Sequence, residues 1–200
     1  MNKYMIFQQL FDDKSSTYTY IISSGEGREA LIIDPVIEHT GKYLKILEKL
    51  KLKLVKVIDI KIKDEEKVKI ENIELKAMYT PGHTDCSYSY LMNDRVFTGD
   101  TLLINGTGRT DFQNGSSYDA YDSLFNKLLK LPEKTLVYPA HDYNGKKFST
   151  IENEKNNNPR LQVKSKDEYA EIMRNLNLSN PKMMDIAVPA NVKGLTLDQI

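Results

Sequence analysis

The sequence predicts a single domain of mixed α and β structure, an α/β (α+β) fold over residues 1–200. Runs in which apolar and polar residues alternate, as they do in strands, recur along the chain. Between these runs lie three stretches with apolar residues at helical spacing, 41–50, 120–131 and 167–176. The chain has no internal repeat and no convincing domain boundary, and its length suits one buried core.

The N-terminal half predicts antiparallel strands followed by a helix. Gly25–Gly27 supplies a turn before the third strand, and apolar residues from Tyr43 to Leu50 form a helical stripe. A further alternating run, which includes Ile58, Ile60 and Ile62, indicates one longer strand. The predicted elements are strands Met5–Leu10, Thr17–Ile22 and Ala30–Ile33, helix Gly41–Leu50 and the alternating run Leu52–Ile62.

The second half predicts a hairpin, further strands and two helices. Glu71-Asn72 lies between two short alternating runs and reads as a hairpin turn. The predicted elements are strands Val68–Ile70, Ile73–Leu75, Ser87–Met92 and Arg95–Thr98, helix Ala120–Leu131, strand Leu136–Pro139 and helix Asp167–Leu176.

The composition narrows the class of partner. The 28 basic and 28 acidic residues cancel, which argues against nucleic acid and against an anionic membrane and favours a small polar or thiol substrate. Cys86 is the only cysteine, so no internal disulfide can form; it is expected to be a small, partly buried residue. No signal-peptide pattern and no membrane-length apolar run occurs, and we predict a cytoplasmic protein.

Three segments have the form that a metal site requires. In each, a strand-like run ends in Gly, Pro or Ala and a metal-capable side chain follows. Turns at strand ends can bring such side chains into one cleft, since metal ligands must converge from separate elements. The segments are Thr80-Pro81-Gly82-His83-Thr84, Phe97-Thr98-Gly99-Asp100-Thr101 and Tyr138-Pro139-Ala140-His141-Asp142.

These segments, with several others, resemble the persulfide dioxygenases (sulfur dioxygenases) of the metallo-β-lactamase superfamily. The Gly-Arg-Thr-Asp-Phe element separates this family from the related glyoxalase II thioesterases. The likeness covers nearly the whole chain. Its further segments are Gly106–Gln113, Gly115–Ser117, Tyr138–Tyr143, Asn158–Leu161 and Met183–Asn191.

The resemblance implies a four-layer αβ/βα sandwich with the active site at an edge where two sheets meet. It also implies the family reaction, in which glutathione persulfide, O2 and water yield sulfite and glutathione. The family holds one iron(II) per chain with two histidines and one aspartate, and His83 and Asp100 match two of these ligands. The family tends to form homodimers.

The family's first metal-binding segment is absent. Family members carry Thr-His-x-His-x-Asp-His after the strand that here includes Val57-Ile58-Asp59, and this chain continues directly into Ile60–Lys63. A strand-helix unit of the N-terminal half, roughly 30 to 40 residues, is therefore expected to be missing. The chain has only three histidines, His39, His83 and His141.

His141 is the proposed replacement for the missing ligand. In relatives with two metals, the matching histidine binds the second ion and the aspartate bridges both. Our hypothesis is that His83, Asp100 and His141 form a weakened mononuclear site for iron(II), with zinc as the alternative. His39, beside Glu38 in a polar loop, is expected to be exposed to solvent.

Four other residues have expected roles near this site. Arg109 is the best candidate to clamp a glutathione carboxylate, because a guanidinium can bond both oxygens; the open alternative is an ion pair with Asp111 that stiffens the loop. Tyr143 matches a family tyrosine near the iron, where its hydroxyl could bond the sulfur or a metal-bound oxygen. Asp34 and Asp111 are expected to support the site rather than to ligate.

Three functions stay open on the sequence alone. The first is a persulfide dioxygenase whose activity is impaired by the absent segment. The second is a thioester hydrolase of the glyoxalase II kind, which normally uses two metals and suffers more from the loss. The third is a catalytically degenerate protein that retains the fold for thiol binding or assembly.

Overall fold

Twelve strands form two main sheets and one small ribbon in this computed structural model, which describes residues 5–58, 63–112 and 114–178. The strands are β1 Ile6–Asp12, β2 Thr17–Ser23, β3 Glu29–Ile33, β4 Lys53–Ile58, β5 Lys67–Ile70, β6 Ile73–Tyr79, β7 Tyr88–Leu91, β8 Arg95–Gly99, β9 Leu102–Leu103, β10 Gly106–Thr107, β11 Leu136–Pro139 and β12 Ser149–Thr150.

The first sheet has the order β1-β2-β3-β4, with β1, β2 and β3 antiparallel and β4 parallel to β3. The second has the order β12-β11-β8-β7-β6-β5. In it β5 to β8 are antiparallel neighbours, whereas β11 is parallel to β8. The carboxyl ends of β6, β8 and β11 therefore meet at one edge of the second sheet.

In the part of the chain that the structure describes, four α-helices lie outside the sheets. Ser116, Thr150 and Ser165 cap three of them, each accepting a hydrogen bond from a backbone N–H in the first turn. The second helix widens into a π-helical stretch and ends in a 3₁₀ turn over residues 122–130. The helices are α1 Thr40–Lys49, α2 Ser117–Tyr121, α3 Ile151–Asn157 and α4 Lys166–Arg174, with 3₁₀ turns at Ile37–His39 and Pro159–Leu161.

The described residues form three hydrophobic clusters, which lie between the four successive layers of helices, sheet, sheet and helices. Residues from both sheets, among them Tyr20, Leu75 and Phe97, fill the space between the sheets. Tyr43 and Leu47 of α1 pack on the outer face of the first sheet. The helices of the second half pack on the outer face of the second sheet, around Leu124 and Tyr169. The αβ/βα sandwich expected from the resemblance is confirmed, because each sheet buries one face on the other sheet and one on helices.

The predicted elements that fall within the described residues are present, with shifted ends. The structure adds β9, β10, β12 and α3, which the apolar pattern did not predict because they are short. Leu44 of the predicted α1 stripe is 59% exposed. The predicted continuation of β4 through Ile60 and Ile62, and the C-terminal likeness at 183–191, lie outside the described residues. In the described part of the chain, no helix has the length and apolar character needed to cross a membrane.

Candidate metal centre

The three predicted ligand segments end up side by side. His83 follows β6, Asp100 directly follows β8, and His141 follows β11. Since these strands point the same way, their following turns lie at one edge of the sandwich. The β1–β2 hairpin reaches the same edge, where Thr17 forms an isolated antiparallel bridge with His141.

Asp100 lies between the two histidines. Its Oδ2 atom is 3.6 Å from Nε2 of His83 and 3.6 Å from Nε2 of His141. About a quarter of each of the three side chains is exposed, 27% for Asp100, 26% for His83 and 25% for His141. The cluster therefore borders solvent, and a small ligand can reach it.

A backbone carbonyl fixes the orientation of His83. Its Nδ1 atom lies 2.7 Å from the carbonyl oxygen of Arg109. A carbonyl oxygen can only accept, so the proton is assigned to Nδ1 and the lone pair to Nε2. A metal-bound histidine commonly has this second hydrogen bond, which sets the tautomer and aims the ring.

His141 is held in the same way by the first hairpin. Its Nδ1 atom lies 3.2 Å from the carbonyl oxygen of Ser16 and 3.3 Å from Oγ1 of Thr17. The carbonyl again assigns the proton to Nδ1, and Nε2 is left facing Asp100. Both imidazoles thus present the nitrogen that a cation needs.

Two glycines allow the turns around the ligands to pack. Gly82 has φ of 139°, and a Cβ there would lie 2.3 Å from Cα of Ala120. A Cβ on Gly108 would lie 2.0 Å from the carbonyl oxygen of Asp100 and 3.1 Å from Cβ of His83. The loop that positions His83 can approach only because position 108 has no side chain.

The donors suit a divalent cation in chemistry and direction. Two donors that each lie about 2.1 Å from one ion are roughly 3.0 to 3.5 Å apart, so the two 3.6 Å separations need only slight closure. As they stand, no three His, Cys, Asp or Glu side chains within residues 5–58, 63–112 and 114–178 are gathered closely enough to form a metal group. Two imidazoles and one carboxylate are the set used by non-haem iron and by zinc.

Tyr143 lies beside His141. The two rings are parallel within 8°, and their centroids are 6.3 Å apart. Partial burial of the hydroxyl and, second, the negative charge of Asp100 raise the pKa of Tyr143, although the residue as a whole is 74% exposed. At neutral pH the phenol is therefore a hydrogen-bond donor at the mouth of the cluster.

Arg109 and Asp111 form a bidentate pair. Nε and Nη2 of Arg109 donate to the two carboxylate oxygens of Asp111, both at 2.7 Å, and the guanidinium lies 3.7 Å from the centroid of the Phe112 ring. The hydrogen bonds from Arg109 lower the pKa of Asp111. This is the geometry of the loop-stiffening alternative. The Arg109 side chain is 12% exposed, whereas Asp111 is 52% exposed.

Three other expectations meet different outcomes. His39 is not a freely solvated side chain: its Nε2 atom is 2.8 Å from Oδ1 of Asp12, and its side chain is 33% exposed. Cys86 is exposed rather than partly buried. Asp34 directly follows β3 and has a left-handed backbone conformation, with φ of 51°. Its carbonyl oxygen accepts a hydrogen bond from the Thr19 hydroxyl, and its expected supporting role stays a prediction.

The partners of the two histidines are what sequence reasoning missed. The carbonyl oxygens of Arg109 and Ser16 belong to the backbone, so no residue type marks them. Thr17 and His141 are 124 positions apart. Only the docking of the first hairpin on the end of β11 brings them together, and a single sequence carries no signal for that contact.

Comparison with known proteins gives a consistent result. The profile described as "Metallo-beta-lactamase superfamily" matches residues 39–141. Persulfide dioxygenase ETHE1 of Mus musculus is 36% identical over 94% of this chain and 88% of its own length. The crystal structure of ETHE1 from Myxococcus xanthus has a TM-score of 0.88 and 42% identity, covering 93% of this chain and 97% of that one. A hydroxyacylglutathione hydrolase of Dictyostelium discoideum is 36% identical over only 48% of this chain.

Proposed function

Because this chain belongs to the persulfide dioxygenase family of the metallo-β-lactamase superfamily, we propose that it oxidises glutathione persulfide with O2 and water to sulfite and glutathione at a mononuclear iron(II) site. Family membership shows a persulfide dioxygenase-like protein with a metal cofactor and a small thiol-derived substrate. The iron, its ligands His83, Asp100 and His141, and the glutathione moiety are our proposal. The observation that carries it is the position of Asp100 Oδ2, 3.6 Å from both imidazole Nε2 atoms.

Iron(II), if bound, would offer open positions for the persulfide sulfur and O2 and would mediate electron transfer between them; the terminal sulfur of the persulfide is the reductant of O2. The protein's own residues orient the candidate metal ligands and the substrate. The Arg109 carbonyl and the first hairpin hold the two imidazoles with Nε2 toward Asp100. Tyr143, beside His141, offers a hydroxyl that can donate to the terminal sulfur of the substrate.

We propose that the activity of this chain is lower than that of relatives that carry the family's first ligand segment, because that segment is absent here. The match to the mouse protein spans 225 aligned residues, about 37 more than the 94% of this chain that it covers, which supports a missing unit of the expected size. The exposed edge of the cluster and the slightly long donor separations also favour a weakened site. Losing a protein ligand lowers both metal affinity and the precision with which substrate is oriented.

We propose that Arg109 binds a carboxylate of glutathione. The backbone carbonyl of Arg109 contacts His83, so the Arg109 side chain starts beside the candidate metal cluster. A substrate carboxylate bound by its guanidinium would therefore lie close to that cluster. Asp111, which is 52% exposed, competes for the same guanidinium, so a carboxylate of glutathione would take its place in a bidentate pair.

Two alternatives predict different chemistry. A thioester hydrolase would act through metal-bound water and normally through two ions; the hydroxyacylglutathione hydrolase of Dictyostelium discoideum matches 48% of this chain. A degenerate protein would bind neither metal nor O2. The likeness to persulfide dioxygenases over 94% of the chain favours the dioxygenase.

The test combines metal analysis with turnover. Protein purified without oxygen is loaded with iron(II), given glutathione persulfide, and followed by O2 uptake and sulfite release. We expect iron with O2 uptake and stoichiometric sulfite, and loss of both in Asp100→Asn. Glu48→Gln, at an exposed position of α1, is the matched control. Bound zinc with thioester cleavage would support the hydrolase, and a metal-free inert protein would support degeneracy.

Assembly and location complete the proposal. We propose a homodimer, as the resemblance to the family implies, and a cytoplasmic location. The name of the mouse relative places that protein in mitochondria. Sedimentation of the purified chain and fractionation of cells that produce it test the two points separately.

A further inference from the structure

A chain of close polar contacts runs from His141 to a carboxylate on the first hairpin. His141 Nδ1 is 3.3 Å from Oγ1 of Thr17, which is 2.8 Å from Oγ of Ser15, which in turn is 2.5 Å from Oδ2 of Asp12. The other oxygen of Asp12, Oδ1, is 2.8 Å from Nε2 of His39. The candidate metal ligand is thus connected to residues that no motif singles out.

Two acceptors at Nδ1 decide where the His141 proton lies. The Ser15 hydroxyl donates toward both Oδ2 of Asp12 and Oγ1 of Thr17, and so holds the Thr17 hydroxyl beside the carboxylate. Oγ1 of Thr17 retains a lone pair that can accept from Nδ1 of His141. The Ser16 carbonyl oxygen, which can only accept, is the other acceptor at that nitrogen.

Asp12 also holds the second acceptor of His141. The backbone N–H of Ser15 donates to Oδ2 of Asp12 at 2.7 Å, which closes the turn between β1 and β2. Within that turn Ser16 has φ of 56°, a left-handed conformation that is uncommon for a non-glycine residue. The Ser16 carbonyl is thereby aimed at Nδ1 of His141, at 3.2 Å.

The Asp12 carboxylate is ionised at neutral pH. Its residue is buried, with 8% exposed. Hydrogen bonds from the side chain and backbone of Ser15, followed by that from His39, hold the pKa of Asp12 far below its usual range. The charge strengthens the hydrogen bonds that Asp12 accepts from Ser15, and with them the turn that aims the Ser16 carbonyl at Nδ1 of His141.

We infer that Asp12 is a positioning residue of the candidate metal centre: through Ser15, Thr17 and the Ser16 carbonyl it fixes His141 with its proton on Nδ1, so that Nε2 faces Asp100. The inference rests on the proposed function only in taking His141 as a ligand. In metal proteins, a carboxylate behind a ligating histidine commonly plays this part directly. Here two hydroxyls extend its reach.

The tautomer can be read in the metal-free protein. Imidazole ¹⁵N spectra at about pH 8.5, where ordinary imidazoles are neutral, distinguish protonated from bare nitrogens. The chain has three histidines, so His39→Asn and His83→Asn assign the signals. We expect His141 to be protonated on Nδ1 in the wild type. Asp12→Asn and Thr17→Val should shift it toward a mixture of tautomers, and Thr17→Ser, which keeps the hydroxyl, should restore the wild-type pattern.

Metal affinity provides the second readout. Competition for zinc with a coloured chelator should show about 10-fold weaker binding in Asp12→Asn, the lower end of the usual effect of such partners, and less in Thr17→Val, which retains the Ser16 carbonyl. Thr17→Ser should bind as the wild type does. Backbone amide spectra establish whether each variant is folded. If Asp12→Asn does not fold, the comparison of Thr17→Val with Thr17→Ser still tests the inference.

The outcomes separate the two proposals. A bare Nδ1 on His141 in the wild type, or ¹⁵N signals unchanged in both Asp12→Asn and Thr17→Val, overturns the positioning role while leaving the metal centre intact. A protein that shows the expected tautomer shifts but binds no metal refutes the proposed function and supports the positioning of His141.

Discussion

The carboxylate of Asp100 lies 3.6 Å from the imidazole of His141, although the two residues follow different strands, β8 and β11. Parallel pairing of these strands creates the contact, because it places both carboxyl ends at one edge of the sheet. His83 completes the cluster at the same distance from Asp100. The predictions below address what holds this cluster together and what it binds.

Gly108→Ala should damage the cluster without touching a ligand. The added Cβ would lie 2.0 Å from the Asp100 carbonyl oxygen, so the loop must move away from His83. We expect the free energy of unfolding to fall by about 1 to 3 kcal/mol, the usual cost of overpacking. Metal affinity should also fall, because the Arg109 carbonyl moves with the loop. Urea unfolding and chelator competition measure the two effects.

Gly41→Ala is the control for that substitution. Gly41 lies in α1, and a Cβ there meets nothing within 4 Å. We expect a gain of about 0.5 to 1 kcal/mol from helix propensity and unchanged metal affinity. Equal metal affinity in Gly108→Ala and the wild type would show that the close approach of this loop is unimportant for the site.

Arg109 and Asp111 can be separated by the sign of their effects on KM. If the guanidinium binds a glutathione carboxylate, Arg109→Gln should raise KM for glutathione persulfide about 10-fold, the value of a charge-assisted hydrogen bond. Asp111→Asn should lower KM, because it removes the carboxylate that competes for the guanidinium. Steady-state O2 uptake measures both.

The loop-stiffening alternative predicts a different pattern. Both variants would then impair the site in the same direction, since each breaks the same pair. A persulfide that lacks carboxylates serves as the control substrate. If Arg109 binds the substrate carboxylate, Arg109→Gln should leave the KM of the control substrate unchanged. If Arg109 only stiffens the loop, Arg109→Gln should affect the control substrate as much as it affects glutathione persulfide.

Asp12→Asn should reduce stability in a pH-dependent manner. The pKa of Asp12 in the folded protein is lowered, chiefly by the Ser15 hydrogen bonds and then by His39. Its stabilising contribution is therefore present above the unfolded pKa of about 3.9 and is lost as pH falls from there toward the folded pKa. We expect a deficit of about 1 to 3 kcal/mol near neutral pH that shrinks below about pH 4.

Urea unfolding at about pH 7, 5, 4 and 3 tests this sign. Thr17→Val is the matched reference, since it breaks the same chain without removing a charge. Its deficit should not change with pH in this range. A deficit of Asp12→Asn that grows as the solution becomes more acidic would contradict the assigned pKa direction.

Alternation of apolar residues was enough to predict most strands. The two faces of a strand differ in burial, and β6, with Ile73, Leu75 and Ala77 inward, shows this clearly. The proximity of the candidate ligands was also predictable, because His83, Asp100 and His141 each follow a strand in a recognisable motif. That they face one another follows from sheet order, which the resemblance supplied.

Contacts between distant, unremarkable residues could not be predicted. His39 was expected to be solvated because its neighbours in sequence are polar, yet Asp12 at the end of β1 pairs with it. The same holds for Ser16 and His141. Short elements such as β9 and β12 were also missed, because two residues carry no periodicity.

The central claim is that His83, Asp100 and His141 share one metal ion. Metal content of the wild type and of His141→Ala, each loaded with iron(II) under the same oxygen-free conditions and then desalted, tests this most directly. We predict close to one iron per chain in the wild type and almost none in His141→Ala. Equal iron in the two proteins would contradict the claim.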